Sequence, residues 1–452
     1  MTKGAISVSR LALMAALGAS ATLATTTAAR AEMTLYDQDG VTINGAFGAG
    51  VGVFSVGNAQ FGAGIPNASG TVVRDFQWIE TFVKPGLSGS IATSAAGSFY
   101  GGVSGLMTTT NGDGDAAGTT FGEPHSVEVE DAYLGWKSAS LVPMLGEDGI
   151  DFSFGRQSFA LGDGFLLADG NADGGRHGAY WFGARTAWAN SAILRLGADT
   201  PVRGDVFWLR SDTDTAADHI YGANVEYTHD GIGTFGAAYF KVDDSLVRAR
   251  RDLDVYNLRA NTTPIPMAPD FGLAGEIAFE EGGSARRDVS ANAWYLEPSY
   301  TLSTLPWTPR VAYRYASFSG DDPTTTEDEG FDPLHYGMLG GWGTWFQGEI
   351  VGEYMWGNSN LNSHRLHVSV APAEDLTVGG MLYRFTFNEP AAIGVTDDHL
   401  ADELNFYADW AVTENLSVSG VVGYAWAGEG GKQLTGGTED SQSVQVIALI
   451  NF

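Results

Sequence analysis

A group of metal-ligating residues lies in the segment 169–174, whose sequence is Asp-Gly-Asn-Ala-Asp-Gly. It matches the first six positions of a calcium-binding loop, in which alternate side-chain oxygens and a glycine turn wrap a hard cation. The twelfth position is Tyr180 instead of the bidentate glutamate of such loops. Two interpretations of Asp169, Asn171 and Asp173 therefore stay open: a Ca²⁺ site in a surface loop, or an ordinary turn rich in Asp and Asn.

The sequence offers no residue pattern typical of catalysis. A serine hydrolase would carry its nucleophile in a G-x-S-x-G turn, and this motif is absent. Eight histidines are scattered, and His364 and His367 would point to opposite faces of a strand. The chain has no cysteine, which excludes a thiolate metal site, a cysteine nucleophile and a disulfide framework. We expect a protein that is not an enzyme and that needs no cofactor other than the candidate calcium.

Charged residues that could select a solute alternate with apolar residues. In the segment 310–315, Arg-Val-Ala-Tyr-Arg-Tyr, the two arginines share one face of a predicted strand. An arginine that faces lipid near the membrane midplane costs about 2–4 kcal/mol, so such faces should point into a lumen. Residues of both signs are our candidates for the lining of that lumen: Arg156, Arg195, Arg259, Arg310, Arg314, Arg365, Arg384, Glu128, Glu226, Glu276, Glu403 and Asp409.

Charges inside a barrel allow two interpretations. Opposite charges on neighbouring strands form pairs that stiffen the wall. Rings of charge instead decide which ion or sugar passes. The sequence leaves both interpretations open for each of these residues.

The elements that must position these side chains are amphipathic strands. From Val41 onward, eighteen segments of about 9–16 residues alternate apolar and polar side chains, the first at 41–57 and the last at 440–452. Short connections follow most even segments and long connections follow most odd segments, as in an up-and-down barrel whose two termini share one end. We expect an all-β, antiparallel transmembrane barrel of 18 strands, with 16 as the alternative because some even connections are long.

Two long connections, near 158–190 and 319–361, are the candidates for narrowing the lumen. An 18-stranded closure leaves room for an aqueous channel. The segment between the expected start of the mature chain and the first strand is too short for the globular plug of a 22-stranded transporter. We therefore expect any constriction to come from these loops.

Both ends of the chain carry features of exported membrane proteins. Lys3 and Arg10 precede an apolar run, and residues 29–31, Ala-Arg-Ala, have the A-x-A pattern of a cleavage site. We expect residues 1–31 to be a signal peptide and residues 32–452 to form a single barrel domain. The last predicted strand ends on Phe452 and resembles the assembly signal of bacterial outer-membrane barrels, which implies the barrel assembly machinery as a partner.

Composition narrows the class further. The chain contains 12 Trp, 17 Tyr and 24 Phe, yet no helical span follows the expected signal peptide. Its formal net charge of −30 at pH 7 argues against nucleic acid as a partner, because phosphate binding needs clustered Lys and Arg. We expect a protein of the bacterial outer membrane, with the lipid bilayer and a hydrophilic solute as its partners.

Two long-loop regions carry short motifs. Gly155-Arg156-Gln157 and the acidic, Gly-rich stretch up to Asp169 resemble the G-R-Q strand end, and the loop after it, of the alginate-export family of outer-membrane proteins. Phe331-Asp332-Pro333-Leu334 resembles its F-D-P loop, and Asn360-Leu361 resembles its return into the barrel. The likeness spans roughly residues 125–452. It implies an 18-stranded barrel that passes polysaccharide or other hydrophilic solutes across the outer membrane.

The resemblance implies passive transport of a saccharide or polysaccharide. An exporter of polyanionic alginate is expected to have an arginine-dominated constriction, whereas this chain is strongly acidic. Neutral saccharides, small organic solutes or cations fit the charge better. The alternatives are a diffusion porin for general or small organic solutes and a barrel with an adhesive or structural role.

Overall fold

The structure is a computed structural model. It describes residues 33–452 except residues 68–69, 94–95, 121, 172–173, 266, 284–286, 338–340 and 346. The expected signal peptide, residues 1–31, lies outside the described residues.

Eighteen strands of the described chain form one antiparallel sheet that closes on itself. Each strand pairs with the next along the chain, and the last pairs with the first over the register Gly48–Asn451 to Gly57–Gln442. The expected count of 18 is confirmed, and the alternative of 16 is wrong. The barrel strands are β1 Val41–Gly57, β2 Phe76–Thr93, β3 Gly97–Gly112, β4 His125–Lys137, β5 Ile150–Gln157, β6 Trp188–Leu196, β7 Val202–Arg210, β8 His219–His229, β9 Gly233–Asp244, β10 Leu253–Thr262, β11 Phe271–Gly282, β12 Val289–Thr301, β13 Arg310–Phe318, β14 Leu361–Ala373, β15 Leu376–Thr386, β16 His399–Ala411, β17 Leu416–Ala427 and β18 Ser441–Asn451.

A short strand, Met33–Gln38, completes the seam where the barrel closes. Phe452 and Phe47 exchange two backbone hydrogen bonds of 2.8 and 2.9 Å, and this pair ends the contact between β18 and β1. The rest of β1 toward its start pairs with Met33–Gln38. The segment before β1 therefore covers the strand edge that β18 leaves free, as edge protection requires.

The other elements lie in the connections. Two very short strands, Ile65–Pro66 and Val72–Val73, form a hairpin between β1 and β2. The helical elements of the described residues are 3₁₀ turns at Pro143–Leu145, Gly174–His177, Tyr180–Phe182, Arg248–Arg250 and Pro390–Ile393, a π-helical segment at Gly348–Met355 and an α-helix at Glu429–Thr435. Among these helices none has the length and apolar character needed to cross a bilayer.

Alternation along each strand separates a lipid-facing surface from the interior. In β18, Val444 and Val446 are exposed on the outer face, while Ser443 and Gln445 are buried inside. The connections of one barrel end are mostly short, and those of the other end include 158–187 and 319–360, which we call the first and second long loops. Both long loops fold into the barrel, where their apolar side chains form a core with the inward face of the wall.

Candidate channel interior

The barrel interior contains a cavity of about 1650 Å³. Strands β1–β12 form most of its wall toward the end with the short turns, and residues of the first long loop close it above. The charged side chains that line the cavity are the carboxylates of Asp131, Asp148, Asp151, Asp163, Asp169, Asp205, Glu226 and Glu276 and the cations of Lys84, Lys137, Arg195, Arg203 and Arg259.

A chain of paired charges runs along one wall of this cavity. Arg259 of β10 donates to Glu226 of β8 at 2.6 Å, and Arg203 of β7 donates to the same carboxylate at 2.5 Å. Arg259 can cross the intervening strand β9 because Gly236, its register partner, has no side chain; a Cβ there would lie 2.7 Å from the guanidinium carbon. Glu276 of β11 extends the chain by accepting a 2.7 Å hydrogen bond from Asn257.

Two further ion pairs line the cavity. Lys84 of β2 lies 2.9 Å from Asp131 of β4. Arg195 of β6 lies 3.9 Å from Asp205 of β7, its register partner, and the Arg195 side chain is 37% exposed to the cavity. Arg195 is therefore well placed among the cavity's cations to meet a passing solute.

Three of the predicted arginines lie in the other half of the interior, against β13 and β14. Arg314 is buried over the ring of Trp345, with 4.8 Å between its guanidinium carbon and the ring centroid, and it donates to the carbonyl of Gly343. Arg365 also donates to Gly343 and forms a 2.6 Å ion pair with Glu297. Arg310 joins the same carboxylate at 3.3 Å. Arg314 and Arg365 thus anchor the second long loop, and all three arginines lie outside the cavity lining.

Arg156 and Glu128 tie the first long loop to the wall. Arg156 forms a 2.7 Å ion pair with Asp212, and Arg185 of the loop bridges Asp212 and Glu128. Glu130 of β4 accepts hydrogen bonds from the backbone N–H groups of residues 186 and 187 at 2.8 and 2.9 Å. Both candidates therefore face inward but serve as loop anchors in the structure.

Glu403 and Asp409 of β16 bind the second long loop. Glu403 accepts the backbone N–H groups of Ile350 at 3.1 Å and Val351 at 2.8 Å. Asp409 accepts the indole N–H of Trp342 at 2.9 Å. Of the side chains predicted to line a lumen, Arg195, Arg259, Glu226 and Glu276 line the cavity, and Arg156, Glu128, Arg314, Arg365, Glu403 and Asp409 anchor the loops.

The predicted inward position of Arg384 is wrong. Its side chain is 57% exposed on the outer face of β15 and lies 3.7 Å from Asp402. Tyr383 and Phe385 are buried instead, stacked with 5.1 Å between their ring centroids. The error arose because this strand has apolar residues in both phases, and the aromatic pair gains more by packing under the second long loop than by facing lipid.

The two long loops hydrogen-bond to each other inside the barrel. The backbone N–H of Ala168 donates to the carbonyl of His335 at 2.8 Å, and the N–H of His335 donates to the carbonyl of Leu166 at 3.0 Å. Phe165 packs beside this junction, with its ring centroid 4.8 Å from that of Trp345 and 5.7 Å from that of Tyr295. The loops therefore form one body that covers the cavity.

A buried ion-pair network, which we call the latch, fastens this body. It joins Arg250, from the β9–β10 connection, to Asp218 at 2.7 Å and to Asp332 of the second long loop at 2.7 Å. Nε2 of His335 donates to the same Asp218 oxygen at 2.8 Å. Burial alone would raise the pKa of Asp218, but the hydrogen bond to His335 and the charge of Arg250 hold it below its usual value. Sequence reasoning missed the latch because its residues come from three separate connections.

The candidate calcium loop is arranged as a turn. Oδ1 of Asp169 accepts the backbone N–H of Asn171 at 2.8 Å, and burial raises the pKa of Asp169 to about 7. In the orientation of the Asn171 amide that gives both its oxygen and its nitrogen a hydrogen-bond partner, the oxygen accepts a 2.7 Å hydrogen bond from Arg185. A cationic side chain therefore already occupies this region. Asp173 lies outside the described residues. Among the described residues, no group of three or more His, Asp or Glu could hold a metal ion.

Comparisons with known proteins agree with this architecture. A family model described as alginate export matches residues 123–443. Among solved structures, Pseudomonas aeruginosa OpdQ covers 91% of this chain and 98% of its own at 12% identity and a TM-score of 0.57. The outer membrane protein OprD from Pseudomonas aeruginosa covers 90% and 93% at 12% identity and a TM-score of 0.54. Acinetobacter baumannii OccAB1 covers 91% and 96% at 12% identity and a TM-score of 0.56. At these identities the likeness shows the fold alone.

No curated protein matches the chain. The closed barrel and the family match place it in the outer membrane of a Gram-negative bacterium.

Proposed function

Since the chain belongs to the alginate-export family, we propose that it is a passive outer-membrane channel for small hydrophilic solutes. The observation that carries this proposal is the division of the interior. The two long loops, joined by backbone hydrogen bonds, cover a charged cavity of about 1650 Å³. A water-filled chamber beneath a loop constriction suits single small molecules that enter one at a time.

A polysaccharide chain is a poorer fit to this interior. A polymer in transit occupies the whole length of the path at once, so it needs an uninterrupted lumen. Here the paired segments of the two loops and the aromatic cluster around Phe165 lie across the interior above the cavity. Passage of a polymer would require the whole loop body to stay displaced, whereas a small solute needs only a transient gap.

Charge also favours small neutral or cationic solutes over polyanions. Eight carboxylates and five cations line the cavity. The most buried of these cations, Arg259, is already bound to Glu226 and Asn224. A polyanion would find few unpaired cations and would meet repulsion from the excess carboxylates. The hydroxyl and amine groups of a small solute, in contrast, can replace their hydrogen bonds to water with hydrogen bonds to the paired charges of the wall.

Two measurements on the purified barrel test the proposal. In planar bilayers we expect stepwise conductance, and in liposome swelling we expect permeation by monosaccharides and amino acids of neutral or positive charge. Alginate oligosaccharides should not permeate the barrel. At equal concentration they should block its conductance no more than neutral saccharides of the same length do. Correctly folded barrels that never conduct would contradict the channel. Tight, selective block by alginate oligosaccharides would favour polymer export, the second candidate that the family match supports.

A further inference from the structure

The π-helical segment Gly348–Met355, which we call the lid, lies inside the barrel against one arc of its wall. It packs against β16, β17 and β18, where Glu403 caps the N–H groups of Ile350 and Val351. At its far end, the ring of Tyr354 lies 5.9 Å from Trp78 of β2 and 4.8 Å from Trp181 of the first long loop, between ring centroids. The lid therefore packs between the wall and the first long loop and is part of the loop body that covers the cavity.

Three carboxyl groups meet where the lid is seated. Glu349, Glu353 and Glu403 are all buried, with at most 1% exposure. In the described part of the chain, neither carboxylate oxygen of Glu349 has a hydrogen-bond donor, and Oε2 of Glu353 accepts from Gln445 at 2.6 Å while its Oε1 has no donor. Burial of an ionised carboxylate without donors is costly, so at least one of these groups must carry a proton.

Neighbouring polar atoms point to the same conclusion. Oδ1 of Asn405 and Oγ of Ser443 are buried beside the lid without hydrogen-bond partners among the described residues. Both lie beside Gly423, where a Cβ would come within 2.8 Å of the first and 2.5 Å of the second. The site thus has more acceptors than donors, which added protons on Glu349 and Glu353 would correct.

Among the described residues, no cation pairs with these carboxyl groups. Within the described residues, none of the three has a basic side chain within 4 Å. Arg314 and Arg365, the guanidinium groups of the neighbouring β13 and β14, are held by the carbonyl of Gly343 and by Glu297. The ionisable groups that face the lid from the surrounding elements are Glu80, Asp115, Asp409, Tyr383, Arg314 and Arg365.

The titration of the lid follows from these surroundings. Burial, reinforced by the charge of Glu353, raises the pKa of Glu349 well above its usual value. Burial raises the pKa of Glu353 from 4.5 to about 7. Because the seated state holds these protons more tightly than the released state, seating is strongest at acid pH and weakens as pH rises from 4.5 through about 7.

We propose that the lid is a proton-held gate, seated while Glu349 and Glu353 are protonated and released when they ionise. Gly348 supplies a hinge: its φ is +85°, and a Cβ there would lie 2.7 Å from the Glu403 carboxylate. Release loosens the loop body that covers the cavity and widens the path. The effect on conductance rests on the proposed channel function, whereas the movement of the lid does not.

A single introduced thiol reports the movement directly, because the natural chain has no cysteine. Val351→Cys places the thiol on the buried lid, and Thr326→Cys places a reference thiol on the exposed part of the same loop. The ratio of their maleimide labelling rates cancels the ordinary ionisation of a thiol with pH. We expect this ratio to rise about tenfold or more between about pH 5 and about pH 8.

The matched control replaces the two acids by neutral amides. In the Glu349→Gln, Glu353→Gln background the labelling ratio should stay low and flat across the same pH range. The parent protein should also conduct more as pH rises, and the double variant should not. A flat ratio in the parent, or the same pH response in the double variant, overturns the gate. If the labelling ratio of the parent rises with pH but the barrels never conduct, the gate is supported and the proposed channel function is contradicted.

A second variant guards against a folding defect. Glu349→Gln alone leaves Glu353 titratable and should shift the midpoint of the labelling curve without abolishing it. Retention of the heat-modifiable, protease-resistant barrel band confirms that each variant is folded. A folded single variant whose midpoint equals that of the parent would contradict the assignment of the proton to this pair.

Discussion

Along strands β7 to β10 a carboxylate of the interior faces two arginines, whereas beside the lid three carboxyl groups face one another. Glu226 binds two guanidinium groups, while Glu349 has no donor among the described residues. Paired charges keep their state over a wide range of pH and fix the shape of the wall. Buried carboxyl groups without a cationic partner are kept neutral by protons instead, so their charge depends on pH. We infer that one half of the interior is a fixed passage and the other half is a movable cover.

The largest effect should come from the aromatic junction that joins the two halves. Phe165→Ala removes a buried ring in contact with Trp345, Tyr295 and Phe331, which should lower the free energy of unfolding by about 3–5 kcal/mol. Denaturant titration in detergent measures this loss, and bilayer recordings should show a larger and noisier conductance.

Met144→Ala is the control for that substitution, since Met144 is exposed in the β4–β5 connection. It should change the free energy of unfolding by no more than about 0.5 kcal/mol. If Phe165→Ala raised neither conductance nor noise, the two loops would not be a single body, and the comparison between fixed and movable halves would fail.

The latch should give the next largest effect. Arg250→Ala leaves Asp218 and Asp332 without their shared cation, and removing one partner of a buried ion pair costs about 3–5 kcal/mol. Part of this loss of stability should be seen as release of the second long loop from the wall. The open-channel current should therefore rise several-fold at neutral pH. Single-channel recording at a fixed voltage provides the measurement.

Arg251→Ala is the matched neighbour of that variant. Arg251 is partly exposed and lies 3.6 Å from the exposed Asp244, so its loss should leave the current unchanged. Equal currents for the two alanine variants would show that the latch does not hold the loops.

The barrel itself could be predicted from the sequence because strand alternation is a local property. The predicted first strand, 41–57, agrees with Val41–Gly57, and the predicted last strand, 440–452, contains Ser441–Asn451. The predicted long loops, 158–190 and 319–361, differ from the observed ones by three residues or fewer at each end. Lipid on one side and water on the other impose this pattern on every strand.

The candidate site could be predicted only in part because the path of the loops is not a local property. Alternation placed Arg314 and Glu403 inside correctly, but it could not show that loops cover both of them. It also misplaced Arg384, because Tyr383 gains its packing from a loop that is distant in sequence. The buried pair Glu349 and Glu353 was missed since nothing in the pattern distinguishes a loop folded inside the barrel from one in solvent.

The smallest effect should come from one charge of the fixed wall. Arg259→Ala leaves Glu226 with Arg203 as its remaining partner, which makes the cavity more negative by one unit. A unit charge about 6 Å from a hydrated ion contributes about 0.7 kcal/mol, of opposite sign for cations and anions, so the cation-to-anion permeability ratio should rise about tenfold. Reversal potentials in a salt gradient measure this ratio. Arg384→Ala is the matched control: it removes the same charge from the outer face, and the ratio should stay unchanged. If the two variants shifted the reversal potential equally, the current would not pass along the paired wall, and the passage would have to lie elsewhere in the barrel.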